Sequence, residues 1–151
     1  MADSGPADPE PLSQRLTAAV LHREEGYRTL DTLQDPATQS LFLWLEEVAP
    51  GFPDWLITVL FGGTYQRPGL SPRDRQLANL AALTALGGVD PQLAGQVVTS
   101  LRVGLTPEEV VEVFVHLAPY VGVPKALAGL RVAAAALEDA APREADRSDL
   151  G

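Results

Sequence analysis

Gly62-Gly63-Thr64-Tyr65-Gln66-Arg67-Pro68-Gly69-Leu70-Ser71-Pro72-Arg73-Asp74-Arg75-Gln76-Leu77 reads as a loop that hands the chain into a helix. Gly62 and Gly63 stop the preceding apolar segment. Ser71 offers a hydroxyl that can accept from a free backbone N–H of the first turn, and Pro72 takes the first helical position, where no N–H is needed. The run that follows, Leu77-Ala78-Asn79-Leu80-Ala81-Ala82-Leu83-Thr84-Ala85-Leu86, is apolar almost all round and is closed by Gly87-Gly88. A long, buried, central helix is expected here.

The same punctuation recurs on both sides of it. Upstream, one helix is expected from about Pro11 to Leu30, bending near Gly26, and a second from Asp35-Pro36 to Val48 with Leu41, Leu45 and Val48 at helical spacing. A third begins at Pro53 and carries Trp55, Leu56, Val59 and Leu60; the two tryptophans, Trp44 and Trp55, fall in these last two segments. Downstream, Asp90-Pro91 opens a helix that ends at Gly104, and Thr106-Pro107-Glu108-Glu109 spells a capping box. That helix runs to Gly122, and Pro124 opens a last, alanine-rich one to about Leu137. The chain therefore predicts an all-α bundle of about seven helices with no convincing strand. Residues 1–11 and 140–151 have little to bury and are expected to be tails around one helical domain over residues 12–139.

Composition removes several classes of function. The 151 residues carry 20 acidic against 11 basic side chains, a formal charge of -9. A phosphate backbone is bound through clustered positive charge, so nucleic acid is not an expected partner. There is no cysteine, which excludes disulfides, thiolate metal sites and cysteine nucleophiles. Two histidines far apart in sequence, His22 and His116, give no expectation of a zinc or iron site. The acidic start lacks a secretory signal, and Glu112, His116 and Pro119 interrupt the longest apolar stretch below the ~20 residues of a membrane span. A soluble, cytoplasmic protein with no membrane partner is expected.

Glu112, His116 and Tyr120 follow one another at intervals of four residues, which puts all three on one face of an otherwise apolar helix. A carboxylate one turn from an imidazole can fix its tautomer and raise its basicity, and a phenol one turn further can donate to a developing oxyanion. The plainer alternative is that the three satisfy each other and nearby backbone at a helix or subunit contact. His22, beside Arg23-Glu24-Glu25, reads as an exposed residue. Arg67, Arg73 and Arg75 cluster around the start of the long helix, where a guanidinium can hold a carboxylate in two parallel hydrogen bonds. Equally, Arg73 and Arg75 can pair with Asp74 and neighbouring acids to hold the turn.

Taken in order, Arg67-Pro68-Gly69-Leu70, Arg73-x-Arg75-x-Leu77, Gly104-Leu105-Thr106-x-Glu108-Glu109-Val110-x-Glu112 and His116-x-x-x-Tyr120-x-Gly122-x-Pro124 resemble the carboxymuconolactone decarboxylase family, in its gamma-carboxymuconolactone decarboxylase branch. The resemblance spans about residues 25 to 138. It implies an alkylhydroperoxidase D-like helical fold assembled into a homo-oligomer, a trimer or hexamer, with sites near subunit contacts. The pattern departs at Leu93-Ala94-Gly95-Gln96, where the decarboxylase branch carries a histidine at the position of Gln96. Glutamine orients a carbonyl or a water but shuttles no proton at neutral pH; the alternative is an interhelical or solvent-facing amide. The thiol peroxidase relatives would place cysteines at positions matching Val89 and Gln92, and often a glutamate at Gln76, so that activity is excluded on chemical grounds.

The expectation is a diverged enzyme that needs no cofactor and works by proton transfer. It would decarboxylate, isomerise or cyclise a small oxygenated carbonyl or lactone compound, with a biosynthetic pathway as one setting for it. His116 held by Glu112 would be the acid/base, Tyr120 and Gln96 would polarise a carbonyl, and Arg67 or Arg73 would bind an acidic group. The other expectation is a non-catalytic oligomer that binds a ligand or a partner.

Overall fold

The computed structural model describes residues 10–34 and 37–142. Most of both expected tails, and the expected helix start at Asp35-Pro36, lie outside the described residues. Within them the chain is all-α: α1 (Leu12–Arg15), α2 (Arg23–Leu33), α3 (Ala37–Val48), α4 (Phe52–Leu60), α5 (Pro72–Leu86), α6 (Asp90–Arg102), α7 (Pro107–Val121) and α8 (Val123–Ala140), with a 3-10 turn at Thr64–Gln66 before α5. No strand is present among the described residues.

Most helix ends fall where local chemistry put them. Ser71 Oγ accepts from the Asp74 N–H at 3.1 Å and caps α5, while Gly87 closes it at φ 71°, a conformation that favours glycine. Thr106 and Glu109 complete the capping box of α7: Thr106 Oγ1 accepts from the Glu109 N–H, and Glu109 Oε2 from the Thr106 N–H at 2.9 Å. Asp90 sits just inside α6 and makes no cap; Val89 is the boundary residue.

Two expectations are corrected. The first helix is not continuous to Leu30: α1 ends at Arg15, Leu16 turns extended, and α2 starts only after His22. The His22 N–H donates to the Gly62 carbonyl at 2.8 Å, pinning the entry of α2 against the end of α4. Gly26 therefore does not bend a helix. It lies buried within α2 where a Cβ would come within 2.8 Å of the Gly62 nitrogen, so glycine lets the two backbones touch. Asp54 reinforces the junction, accepting from Arg23 Nε at 2.8 Å and from the Tyr27 hydroxyl at 2.7 Å.

The second correction concerns α5. It packs against α6, α7 and α8, yet it buries a single line, Gln76, Leu80 and Thr84, leaving Ala78, Ala82 and Leu86 exposed. These three helices leave one strip of α5 uncovered, and an apolar composition alone does not supply a neighbour for it. The main core gathers Leu80, Leu93, Val97, Leu105, Val110, Phe114, Ala133 and Ala136 from α5 to α8. A smaller one, Leu33, Ile57 and Phe61, seals α2 against α4, and Val103 touches both. The helix α3 rests on α4 and leaves Leu41, Leu43, Trp44 and Val48 exposed.

Candidate functional site

The helix α5 carries polar side chains on two sides. Residues two apart on a helix are ~200° apart around its axis, so Leu77 and Asn79 point in opposite directions. One direction faces α7 and forms an open groove; the other faces α6 and the 3-10 turn.

The groove has a volume of about 410 Å³ and is lined by Arg73, Leu77 and Ala81 from α5 and by Glu109, Glu112, Val113, His116 and Leu117 from α7. Its floor is aliphatic; Arg73 and Glu109 stand at one end, and Glu112 and His116 follow along α7. Intervals of four on each helix explain the assembly: positions 73, 77 and 81 stack on α5, and 109, 113 and 117 on α7, with 112 and 116 one step round. His116 and Glu112 are thus brought to the same groove, both solvent-exposed. Tyr120 is 76% exposed and lies outside the lining, its ring centroid 5.3 Å from that of His116 at an interplanar angle of 38°.

Arg73 enters the groove already committed. Its guanidinium straddles the Glu109 carboxylate, Nη1 reaching Oε2 at 3.0 Å and Nη2 reaching Oε1, and Nη1 also donates to the Gly104 carbonyl at 2.9 Å. The hydrogen bonds from Arg73, helped by the Thr106 N–H, hold the Glu109 carboxyl below its ordinary glutamate range. One acid therefore caps α7 and fastens α5 to it.

On the far side of α5, Tyr65 from the 3-10 turn sits at the centre of an uncharged cluster. Its oxygen accepts from Gln76 Nε2 and from Asn79 Nδ2, both at 2.9 Å, and Asn79 Nδ2 also reaches Gln96 Oε1 on α6 at 3.3 Å. Gln76 is fully buried. The Arg75 guanidinium lies over the Tyr65 ring, 5.8 Å from its centroid, and its Nη2 donates to the Arg67 carbonyl at 2.8 Å. Burial pushes the Tyr65 phenol above its ordinary value, more strongly than the Asn79 and Gln76 hydrogen bonds and the Arg75 charge lower it. The phenol is protonated at neutral pH.

The residues singled out from sequence thus divide. His116, Glu112 and Arg73 meet in the groove, with Tyr120 beside His116; Gln96 and Arg75 belong to the Tyr65 cluster, and Arg67 joins it through its backbone carbonyl. Sequence reading did not single out Tyr65 or Asn79. Asn79 was legible as the one amide inside an apolar run, Leu77-Ala78-Asn79-Leu80. Tyr65 gave no comparable signal. Among the described residues, no group of three or more histidine, cysteine or acidic side chains could hold a metal ion, and no helix is long and apolar enough to cross a membrane.

Comparison with known proteins bears on both sides of α5. The model of the carboxymuconolactone decarboxylase family matches residues 50–135, more than half of the chain and the whole stretch from α4 into α8. An uncharacterized 15.0 kDa protein in the nqo9-nqo10 intergenic region of Paracoccus denitrificans is 30% identical over 90 residues, covering 59% of this chain and 67% of that protein. A 4-carboxymuconolactone decarboxylase of Acinetobacter baylyi is 28% identical over 95 residues, 63% of this chain and 70% of the relative.

Proposed function

The chain belongs to the carboxymuconolactone decarboxylase family, and on that premise we propose that it is a diverged, cofactor-independent enzyme. It moves a proton on a small carbonyl or lactone compound, with decarboxylation, isomerisation or ring closure. One observation carries the reading: the single imidazole on α7 lies in an open groove with a carboxylate one turn away. His116 serves as the acid/base, with the Glu112 carboxylate one helical turn away on the same groove wall. Tyr120, next to His116, donates to the oxygen on which charge develops. Leu77, Ala81, Val113 and Leu117 supply an aliphatic bed for the carbon frame.

Charge narrows the substrate. Glu109 and Glu112 bring two carboxylates and Arg73 one guanidinium, which Glu109 already neutralises. A substrate carboxylate would meet Glu112 without a free cation from Arg73, so an uncharged carbonyl or lactone fits better than a lactone acid. An acid-bearing substrate would need Arg73 to exchange Glu109 for the ligand. Gln96 takes no part at this groove within one chain, since it faces the opposite side of α5.

Family membership also motivates a homo-oligomer. The exposed Leu41, Trp44 and Val48 of α3, with Phe52 and Trp55 stacked at 5.8 Å on α4, give such an assembly an apolar surface. Light scattering tests this, with a trimer or hexamer expected and a monomer overturning it.

The second reading is a non-catalytic family member that binds a ligand or a partner. The commitment of Arg73 to Glu109 and the neutral amides at Gln76 and Gln96 favour it. His116→Ala separates the two. If turnover of a candidate lactone or ketone falls about 10²- to 10⁴-fold while the assembly stays intact, proton transfer at His116 stands. Unchanged turnover removes it.

A further inference from the structure

The groove beside His116 has a direction. Arg73 donates to the Gly104 carbonyl just ahead of α7, and Lys125, just after α7, donates to the Ala85 carbonyl near the end of α5. The two helices therefore run side by side in the same sense, and the lining is ordered along them. It begins at the Arg73–Glu109 pair, continues through Leu77 and Val113, and ends with Ala81, His116 and Leu117. Leu77, Ala81, Val113 and Leu117 are each half-buried, so each keeps apolar surface in water that a ligand can cover. Leu77 and Val113 also pack on the main core, which fixes the middle of the groove. Ala81 brings only a methyl group to the His116 end, the smallest side chain of the lining.

Resting on the proton-transfer reading of this groove, we propose that its substrate is an uncharged lactone bearing an unbranched aliphatic chain of about four to six carbons. The ring sits between Ala81 and His116, and the chain lies over Leu77 and Val113. Length sets the chain: Glu109 and His116 are seven positions apart, about 10 Å along a helix axis, and the ring takes the His116 end of that span. The far end sets the charge. Arg73 and Glu109 are closed on each other in a two-pronged pair that Gly104 also holds, so a charged chain terminus finds no free counter-ion there. An apolar chain that stops short of the pair leaves both partners hydrated and covers only aliphatic surface.

The test is calorimetric binding of γ-lactones with unbranched chains from about two to eight carbons, on the wild-type chain and on His116→Ala. The dissociation constant should fall about two- to four-fold per added methylene until about six carbons and then level off. No binding, a flat series, or a gain that continues through the longest chain overturns the inference. Val113→Thr, which puts a hydroxyl in the middle of the groove at nearly constant shape, should weaken long-chain lactones about three- to ten-fold and short-chain ones less than about two-fold. Should that variant fail to fold, Leu77→Ala takes its place with the same expectation. A loss shared equally by short and long chains also overturns it. Turnover by the wild-type chain is measured on the same series, which keeps the two proposals separable. Turnover indifferent to chain length removes this inference and leaves proton transfer at His116 standing. Chain-graded binding without turnover of any member leaves the ligand class standing and removes the catalytic reading.

Discussion

The two sides of α5 differ in the kind of polarity they hold. Towards α7, in an open groove, stand Arg73, Glu109, Glu112 and His116, all able to carry charge. Towards α6 and the 3-10 turn, the interior end of the cluster is built from a phenol and three amides, with Arg75 against the ring. Desolvation sorts them: an ionised group stripped of water loses far more free energy than an amide, and an amide recovers most of its loss through hydrogen bonds. Gln76 is wholly enclosed and neutral, while Glu112, on the groove side, remains in water. One helix can in this way present titratable chemistry on one side and fixed, uncharged hydrogen bonding on the other.

The largest expected effect tests the open side. His116→Ala should lower turnover about 10²- to 10⁴-fold and shift stability by less than ~0.5 kcal/mol, because the side chain is exposed. Steady-state kinetics and chemical denaturation of the same variant check both halves. A large stability loss would mean that the groove is a packed contact.

Next comes the enclosed side. Tyr65→Phe strips the acceptor from two amides, one of them fully buried, and should cost about 1–3 kcal/mol in denaturant unfolding. A loss no greater than that of an exposed substitution would erase the contrast between the two sides.

Glu112→Gln sharpens the comparison from the groove. With its carboxylate in solvent, the amide should change stability by no more than ~0.5 kcal/mol, yet it should lower turnover by removing the carboxylate that lines the groove with His116. Steady-state turnover indistinguishable from wild type would separate Glu112 from the imidazole.

The smallest effect concerns the clamp between α5 and α7. The Glu109 carboxyl is held below its ordinary range by Arg73, so its contribution is complete above the unfolded-state value and is lost as pH falls through the lower folded value. Glu109→Gln should therefore flatten the acid limb of the stability profile while leaving its neutral part nearly parallel to wild type. Melting curves between neutral pH and the acid limb measure this, and an unchanged limb would remove the clamp from the account.

Local signals in the chain fixed most helix ends. The Ser71-Pro72 entry, the Thr106–Glu109 box and the closing glycines at 87, 104 and 122 depend on neighbours within a few residues, and each lies in the structure where its chemistry requires. The spacing of Glu112 and His116 also carried through to a shared groove, because a helix face is a local property. Where reading failed, the deciding partner was distant. The entry of α2 is pinned by a bond from His22 to Gly62, and Gly26 is set by the approach of that same backbone.

From the residues alone came the all-helical class, the family and the chemistry that the absence of cysteine rules out, because these depend on composition, periodicity and ordered motifs. Only the tertiary structure settled which polar groups meet. Arg73 closes on Glu109 across 36 positions, and Gln96 joins Asn79 across 17. A helix periodicity says which side of its own axis a residue occupies; the partner waiting there is chosen by how the other helices pack.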